Sequence, residues 1–228
     1  MATNQGSSGN DTLSGTGQLD GSDGQGDDSG LICFTSGARI ITPNGERPVE
    51  DLQAGDKVLT RDNGLREIRW IGRRDLCSAQ LVRTPEFQPI LIRKGALGDN
   101  VPEHDMLVSP NHRMLLRHAL AEVFFGEREV LAAAKNLTDV NGVDRAVVGN
   151  ASYIHLMFDT HEVILANGAW SESFQPGDYS LNAVGQATRH EILSLFPEFA
   201  TQSGLDKYTS ARRSLKAVEA RLLIAETL

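Results

Sequence analysis

Cys33-Phe34-Thr35-Ser36-Gly37-Ala38-Arg39-Ile40-Ile41-Thr42 is the stretch on which the reading of this chain turns. Before it lies an acidic, glycine-rich segment. After it come short apolar runs separated by turn residues. Residues 1–30 hold eight glycines and five aspartates, no Lys or Arg, and almost nothing apolar. Such a composition has too little to bury to offset the entropy of ordering, so residues 1–32 are expected to be disordered or held only by a ligand. Cys33 therefore stands where a loose flank meets a folded domain.

From Cys33 to about Phe174 the pattern is that of a mainly β domain. Turn signals recur at Pro43-Asn44-Gly45, Gly55-Asp56, Asp62-Asn63-Gly64, Asn141-Gly142 and Asn167-Gly168. Between them, strands are expected near residues 37–42 and 57–60, and over Glu67–Ile71, Pro89–Arg93, Met106–Val108, Arg113–Leu116, Tyr153–Phe158 and Glu162–Ala166. The run Arg47–Leu52 has a faint echo in Glu129–Leu137, as a fold with two similar halves would give. After Pro176 the spacing becomes helical. One helix is expected over Arg189–Phe196, ended by Pro197. A second stretch runs from Leu205 to Leu228 with Leu215, Val218, Leu222 and Leu223 on one face. The division is a flank at 1–32, a β domain at 33–175 and a helical extension at 176–228.

Composition removes several function classes. The chain has 228 residues and a net charge of −8, with 40% apolar residues. That charge argues against a nucleic-acid partner, and Arg73-Arg74 and Arg212-Arg213 read as solvated surface. Two cysteines, Cys33 and Cys77, cannot make a disulfide framework, and a single bond between them would consume the Cys33 thiol. No apolar run would span a membrane, and no signal peptide of the usual pattern is visible. Export, if it occurs, would use another route. His118, His155 and His190 lack metal-ligand spacing with cysteine or acid partners, and no cofactor is expected for the β domain.

A thiol at the head of a domain can attack the carbonyl that precedes it. A peptide bond resists this because resonance stabilises it. The attack needs an activated sulfur, a donor for the oxyanion and an acid for the leaving amine. Cys33 is the candidate nucleophile and Ile32-Cys33 the candidate bond. Ser109-Pro110-Asn111-His112 offers the rest: a hydroxyl or N–H to polarise the carbonyl, and an imidazole to protonate the amine. Taken singly, the cysteine could be a core residue and the turn an ordinary loop. Their order at the head of a β domain favours chemistry. Asp159 and His161 could line the site from the late strand or serve only in structural hydrogen bonds. Cys77 has no motif around it.

These motifs resemble the Hint domain, shared by hedgehog C-terminal domains, inteins and bacterial intein-like proteins. Cys33-Phe34 with Gly37-Ala38-Arg39-Ile40 looks like the family's first motif. Val49-Glu50-Asp51-Leu52-Gln53-Ala54-Gly55-Asp56-Lys57-Val58-Leu59 matches its continuation, with the pattern L-x-x-G-D-x-V inside it. Ser109-Pro110-Asn111-His112 looks like T-x-x-H with Ser for Thr, and Thr160–Gly168 like the late strand pair. The resemblance implies an all-β horseshoe with pseudo-twofold symmetry. It also implies an N-to-S acyl shift at Cys33, assisted by Ser109 and His112. In the flank, Gly9–Gly15 resembles one turn of the calcium repeats of secreted bacterial proteins, which implies at most Ca²⁺ there and a bacterial, secreted setting.

Departures from the family narrow the activity. Asn167-Gly168 is followed by Ala169-Trp170-Ser171 and reads as a turn, so full splicing is not expected. Gly72 stands where hedgehog domains carry an aspartate, with Asp75 displaced, so sterol transfer is not expected. Ile32 is β-branched where hedgehog proteins have glycine, which crowds the carbonyl. The expectation is cis-acting, autocatalytic cleavage of Ile32-Cys33 through a thioester. The flank is the substrate, and water, a thiol or an amine the acceptor. The alternative is a silent Hint scaffold serving as a binding or structural module.

Overall fold

The computed structural model describes residues 32–176 and 186–225. The flank at 1–31, and with it the calcium expectation, lies outside the described residues. Among the described residues the strands form two sheets. The six-stranded sheet has the order β11-β7-β8-β1-β12-β6. Its strands are β1 (Phe34–Thr35), β6 (Trp70–Leu76), β7 (Ile90–Ile92), β8 (Met106–Val108), β11 (Val143–Arg145) and β12 (Ala151–Met157). The second sheet is built on β15-β10-β9-β14-β13-β2-β3, with β4 pairing β13 and β5. Here the strands are β2 (Arg39–Thr42), β3 (Gly45–Pro48), β4 (Lys57–Thr60), β5 (Gly64–Glu67), β9 (Arg113–Arg117), β10 (Glu129–Ala133), β13 (Val163–Ala166), β14 (Ala169–Glu172) and β15 (Arg213–Ser214). A shared apolar core of Phe34, Ile40, Val58, Ile90, Val108, Met114, Val130, Ile154 and Ile164 joins them.

The turn chemistry works as residue types dictate. Asn167 and Gly168 both have positive φ, 51° and 76°, as a two-residue hairpin between β13 and β14 requires. Gly45, at φ 96°, closes the β2–β3 hairpin after Pro43-Asn44. The internal echo has a structural counterpart. The β3 strand runs into a 3-10 turn at Val49–Asp51, and β10 runs into one at Ala134–Asn136.

Three expectations are corrected. The strand expected over Glu67–Ile71 is two elements, β5 ending at Glu67 and β6 beginning at Trp70, because the Ile68 N–H donates to Asp56 O, just before β4, and the Arg69 N–H to Met157 O in β12 of the other sheet. Helices α1 (Ser78–Arg83) and α2 (Ala119–Phe125) fall where no helix was expected. The run from Leu205 is not one helix. It forms α4 (Gln202–Lys207), then β15, which lies parallel to β10, then α5 (Ala217–Ala225). Tertiary contacts override helical spacing there. The Leu215 N–H donates to Leu131 O, and Arg212 ties to Asp62 and Glu129. The buried face of α5 is Ala220, Leu223 and Ile224, while Val218 and Leu222 are exposed. The helix α3 (Gln186–Leu195) does stop before Pro197, which opens a 3-10 turn. Among the described residues no helix is long and apolar enough to cross a membrane.

Candidate active site

Strand register assembles the site. Phe34 of β1 pairs with Val108 of β8 on one side and Ile154 of β12 on the other, both antiparallel. In antiparallel pairing, one residue back on β1 faces one residue on in each neighbour. Cys33 is therefore flanked by Ser109 and His155. His155 in turn pairs with Gly72 of β6. A row Ser109–Cys33–His155–Gly72 thus crosses the sheet, although 76 residues separate the first pair and 122 the second.

Cys33 is buried and its thiol is free; Cys77 is exposed at the start of α1 and also free. The Cys33 N–H donates to Ser109 Oγ at 2.9 Å, and the Ser109 N–H donates to Cys33 O at 3.0 Å. The amide nitrogen of the candidate bond is thus held by a hydroxyl. His155 holds the other side. Its Nδ1 donates to Ile32 O at 2.8 Å, since a carbonyl only accepts. That bond fixes the tautomer and leaves Nε2 as a base. The sulfur lies 3.4 Å from Nδ1 and 3.3 Å from Nε2. Near-equal distances place it against the imidazole rather than along one lone pair, so a small ring rotation brings Nε2 onto the thiol.

The electrostatics follow from burial. Burial pushes the Cys33 thiol well up, against a hydrogen bond from Ser109 and the charge of Arg74, so the resting sulfur is protonated. Burial pushes His155 down to about 4, opposed by its bond to Ile32 O. The aromatic groups around it supply that dry setting. Trp70 stacks on His155 at 6.1 Å and Phe174 meets it edge-on at 4.9 Å. Gly72 permits the stack: a Cβ there would lie 2.1 Å from the Trp70 ring.

His112 is buried against the Phe34 ring at 4.5 Å, and neither ring nitrogen has a hydrogen-bond partner among the described residues. Burial lowers it to about 4 despite the nearby Glu172 carboxylate. Glu172 is itself fully buried. Burial pushes its carboxyl up, but Arg113 and His161 outweigh that and hold it below the usual range. Its Oε1 accepts the Arg113 N–H at 2.8 Å and its Oε2 accepts Nη1 at 3.0 Å. His161 lies in the same cluster, 3.4 Å from Glu172 Oε2, with Nε2 donating to Ser173 O and Nδ1 accepting from Ala211 N–H at 3.0 Å.

The sequence candidates thus divide. Ile32, Cys33 and Ser109 meet directly, while His112 shares the Ser109 turn, its N–H donating to Ser109 O and its ring packed on Phe34. His161 binds Glu172 and the C-terminal extension instead of the Cys33 thiol. Asp159 is outside the site: its side chain is 74% exposed and pairs with Arg69 at 3.3 Å. The one contributor missed is His155, because only the β1–β12 pairing brings it to Cys33. The available signal was a histidine in the middle of the apolar strand Tyr153–Phe158. Asp75, the displaced aspartate, faces Ser152 and Arg73 at the surface. Among the described residues no three or more His, Cys, Asp or Glu side chains group as a metal site.

Comparison with known proteins bears on this arrangement. Residues 32–178 match the Hint domain, well over half of the chain. The chain belongs to the Hint domain family. Hint domains act on their own flanking sequence, so the capability for self-processing, in that general sense, comes with membership. Similar solved structures include the AceL NrdHF class 3 split intein in a splice-inactive variant, at 14% identity and TM-score 0.43, covering 63% of this chain and 97% of that one. The bacterial intein-like domain of Clostridium thermocellum matches at 10% identity and TM-score 0.41, covering 63% and 99%. No curated protein matches the sequence.

Proposed function

We propose that this Hint domain cleaves the Ile32-Cys33 bond in cis through a thioester, without splicing and without sterol transfer. The observation that carries the reading is one imidazole, His155, touching both atoms that must join or polarise: Cys33 Sγ and Ile32 O. The thiol proton passes to His155 Nε2 as sulfur adds to the Ile32 carbonyl carbon. His155 Nδ1–H receives the developing oxyanion. The C–N bond then breaks, and Cys33 N takes up a proton to leave as a free amine. Ser109, already bonded to that nitrogen, orients it, and the imidazolium of His155 gives up the proton it took from the thiol. The product is an Ile32 thioester on Cys33, which water, a thiol or an amine resolves, releasing the flank.

The absence of splicing is supported by Asn167. Its Oδ1 accepts the Arg39 N–H at 2.7 Å and its Nδ2 donates to Asp105 O at 3.1 Å, so the side chain is committed to the turn. The absence of sterol transfer is supported by Gly72 under Trp70 and by Asp75 at the surface. The rise in the Cys33 pKa with burial favours a second reading, a silent scaffold serving as a binding module.

Intact-mass spectrometry of the full chain, with and without dithiothreitol, decides between them. Loss of residues 1–32 that thiol accelerates, that Cys33→Ala abolishes and that His155→Gln slows by ~10²-fold or more is the expected result. Normal cleavage in Cys33→Ala would overturn the thioester. An intact wild-type chain in every condition would establish the scaffold reading.

A further inference from the structure

Ile32 is the last residue of the segment that would be released, yet it is only 7% exposed. It does not join the apolar core between the sheets. It belongs to a separate cluster whose β-domain members are Trp70, Met157 and Phe174. The C-terminal extension supplies the remainder: Ile192, Phe196, Phe199, Leu205 and Tyr208. The first comes from α3, the last follows α4, and Phe199 lies in the 3-10 turn between them.

This wall is built and fastened. Phe196 stacks on Phe199 at 5.2 Å, and Phe199 meets Tyr208 edge-on at 5.4 Å. The Tyr208 hydroxyl donates to Phe158 O at 3.0 Å, on the β domain. Ala211 N–H donates to His161 Nδ1 at 3.0 Å, a second tie just beyond. Inside the extension, Gly204 passes so close to Glu198 that a Cβ would lie 1.8 Å from its carbonyl oxygen. The turn and α4 are therefore locked against each other.

We propose that residues 186–208 form the recognition pocket for the acyl-side residue, selecting a branched or linear aliphatic side chain at position 32. The inference rests on the thioester reading for its catalytic consequence. Its physical basis is the apolar enclosure. An aliphatic side chain seated there fixes the Ile32 carbonyl beside His155 and Cys33, while a charged one would have to be buried unpaired or expel the wall. Loss of methylenes in such a pocket lowers reactivity by roughly 10- to 200-fold. The pocket also offsets the crowding of a β-branched residue next to the scissile carbon, because it places that residue in register.

Two arms test the proposal on the full chain. In the first, hydrogen exchange over residues 189–208 is followed in Cys33→Ala carrying Ile, Ala or Asp at position 32. Exchange there should rise at least ~10-fold for Ile32→Asp; exchange indifferent to position 32 overturns the pocket. In the second, cleavage rates are compared for Ile32, Ile32→Val, Ile32→Ala and Ile32→Asp, each with and without Phe199→Leu or Phe199→Ala. The expected order is Ile and Val above Ala above Asp. The Phe199 variants should shrink the Ile-to-Ala ratio toward one instead of slowing all substrates alike. Equal rates at position 32, or a ratio unmoved by Phe199, overturn the proposal. If no variant cleaves at all, the thioester reading fails, while the exchange arm still decides whether the extension recognises Ile32.

Discussion

Mild acid should destabilise this domain through two histidines. His112 and His155 are buried, with pKa values near 4 against 6.5 when unfolded. Between those values the unfolded chain binds protons that the folded chain refuses. Stability therefore rises with pH through the window and is lost as pH falls through it. Between pH 7 and pH 5 each group changes its contribution by about 1.3 pK units, about 2 kcal/mol. The two together give about 4 kcal/mol, a large share of the 5–15 kcal/mol typical of a domain. The carboxylates hardly enter, because their unfolded pKa values lie below this range. Guanidinium unfolding of the Cys33→Ala chain at pH 7, 6 and 5 measures the effect without self-cleavage. The midpoint should fall steadily at constant slope. His112→Gln and His155→Gln should each remove about half of the fall. A stability constant to within about 1 kcal/mol from pH 7 to pH 5 would refute the burial of neutral imidazoles at this site.

Three further outcomes separate the assembled site from the surface. Gly72→Ala drives a Cβ into the Trp70 ring, so it should cost about 1–3 kcal/mol in thermal unfolding and slow cleavage by displacing the ring stacked on His155. Asp159→Asn should change stability by less than about 0.5 kcal/mol and leave cleavage within twofold. Arg113→Met, which strands the buried Glu172 charge, should cost about 3 kcal/mol or more in the same melting assay.

Much of the fold was legible because its signals are local. Turn residues such as Asn167-Gly168 report their own backbone geometry, and Pro197 ends a helix whatever surrounds it. The apolar alternation of Met106–Val108 and Arg113–Leu116 placed strands near where they lie. The misreading after Leu205 has the opposite cause. Its helical spacing is real, but pairing with β10 and the ties of Arg212 extract more from an extended segment at Arg213–Ser214.

The sequence by itself determined that a cysteine heads a β domain and that a Ser-x-x-His turn accompanies it, since residue type and order carry that much chemistry. Only the tertiary structure decided which imidazole meets the sulfur. His155 and His161 are six residues apart, and nothing local ranks them. The register of β1 against β12 sends His155 to Cys33, while Glu172 and Ala211 hold His161 elsewhere. The environment of Ile32 was likewise decided there, by aromatic residues more than 150 positions away that fold back over it. Pairing register and long-range burial are properties of the folded whole, so no stretch of residues encodes them alone.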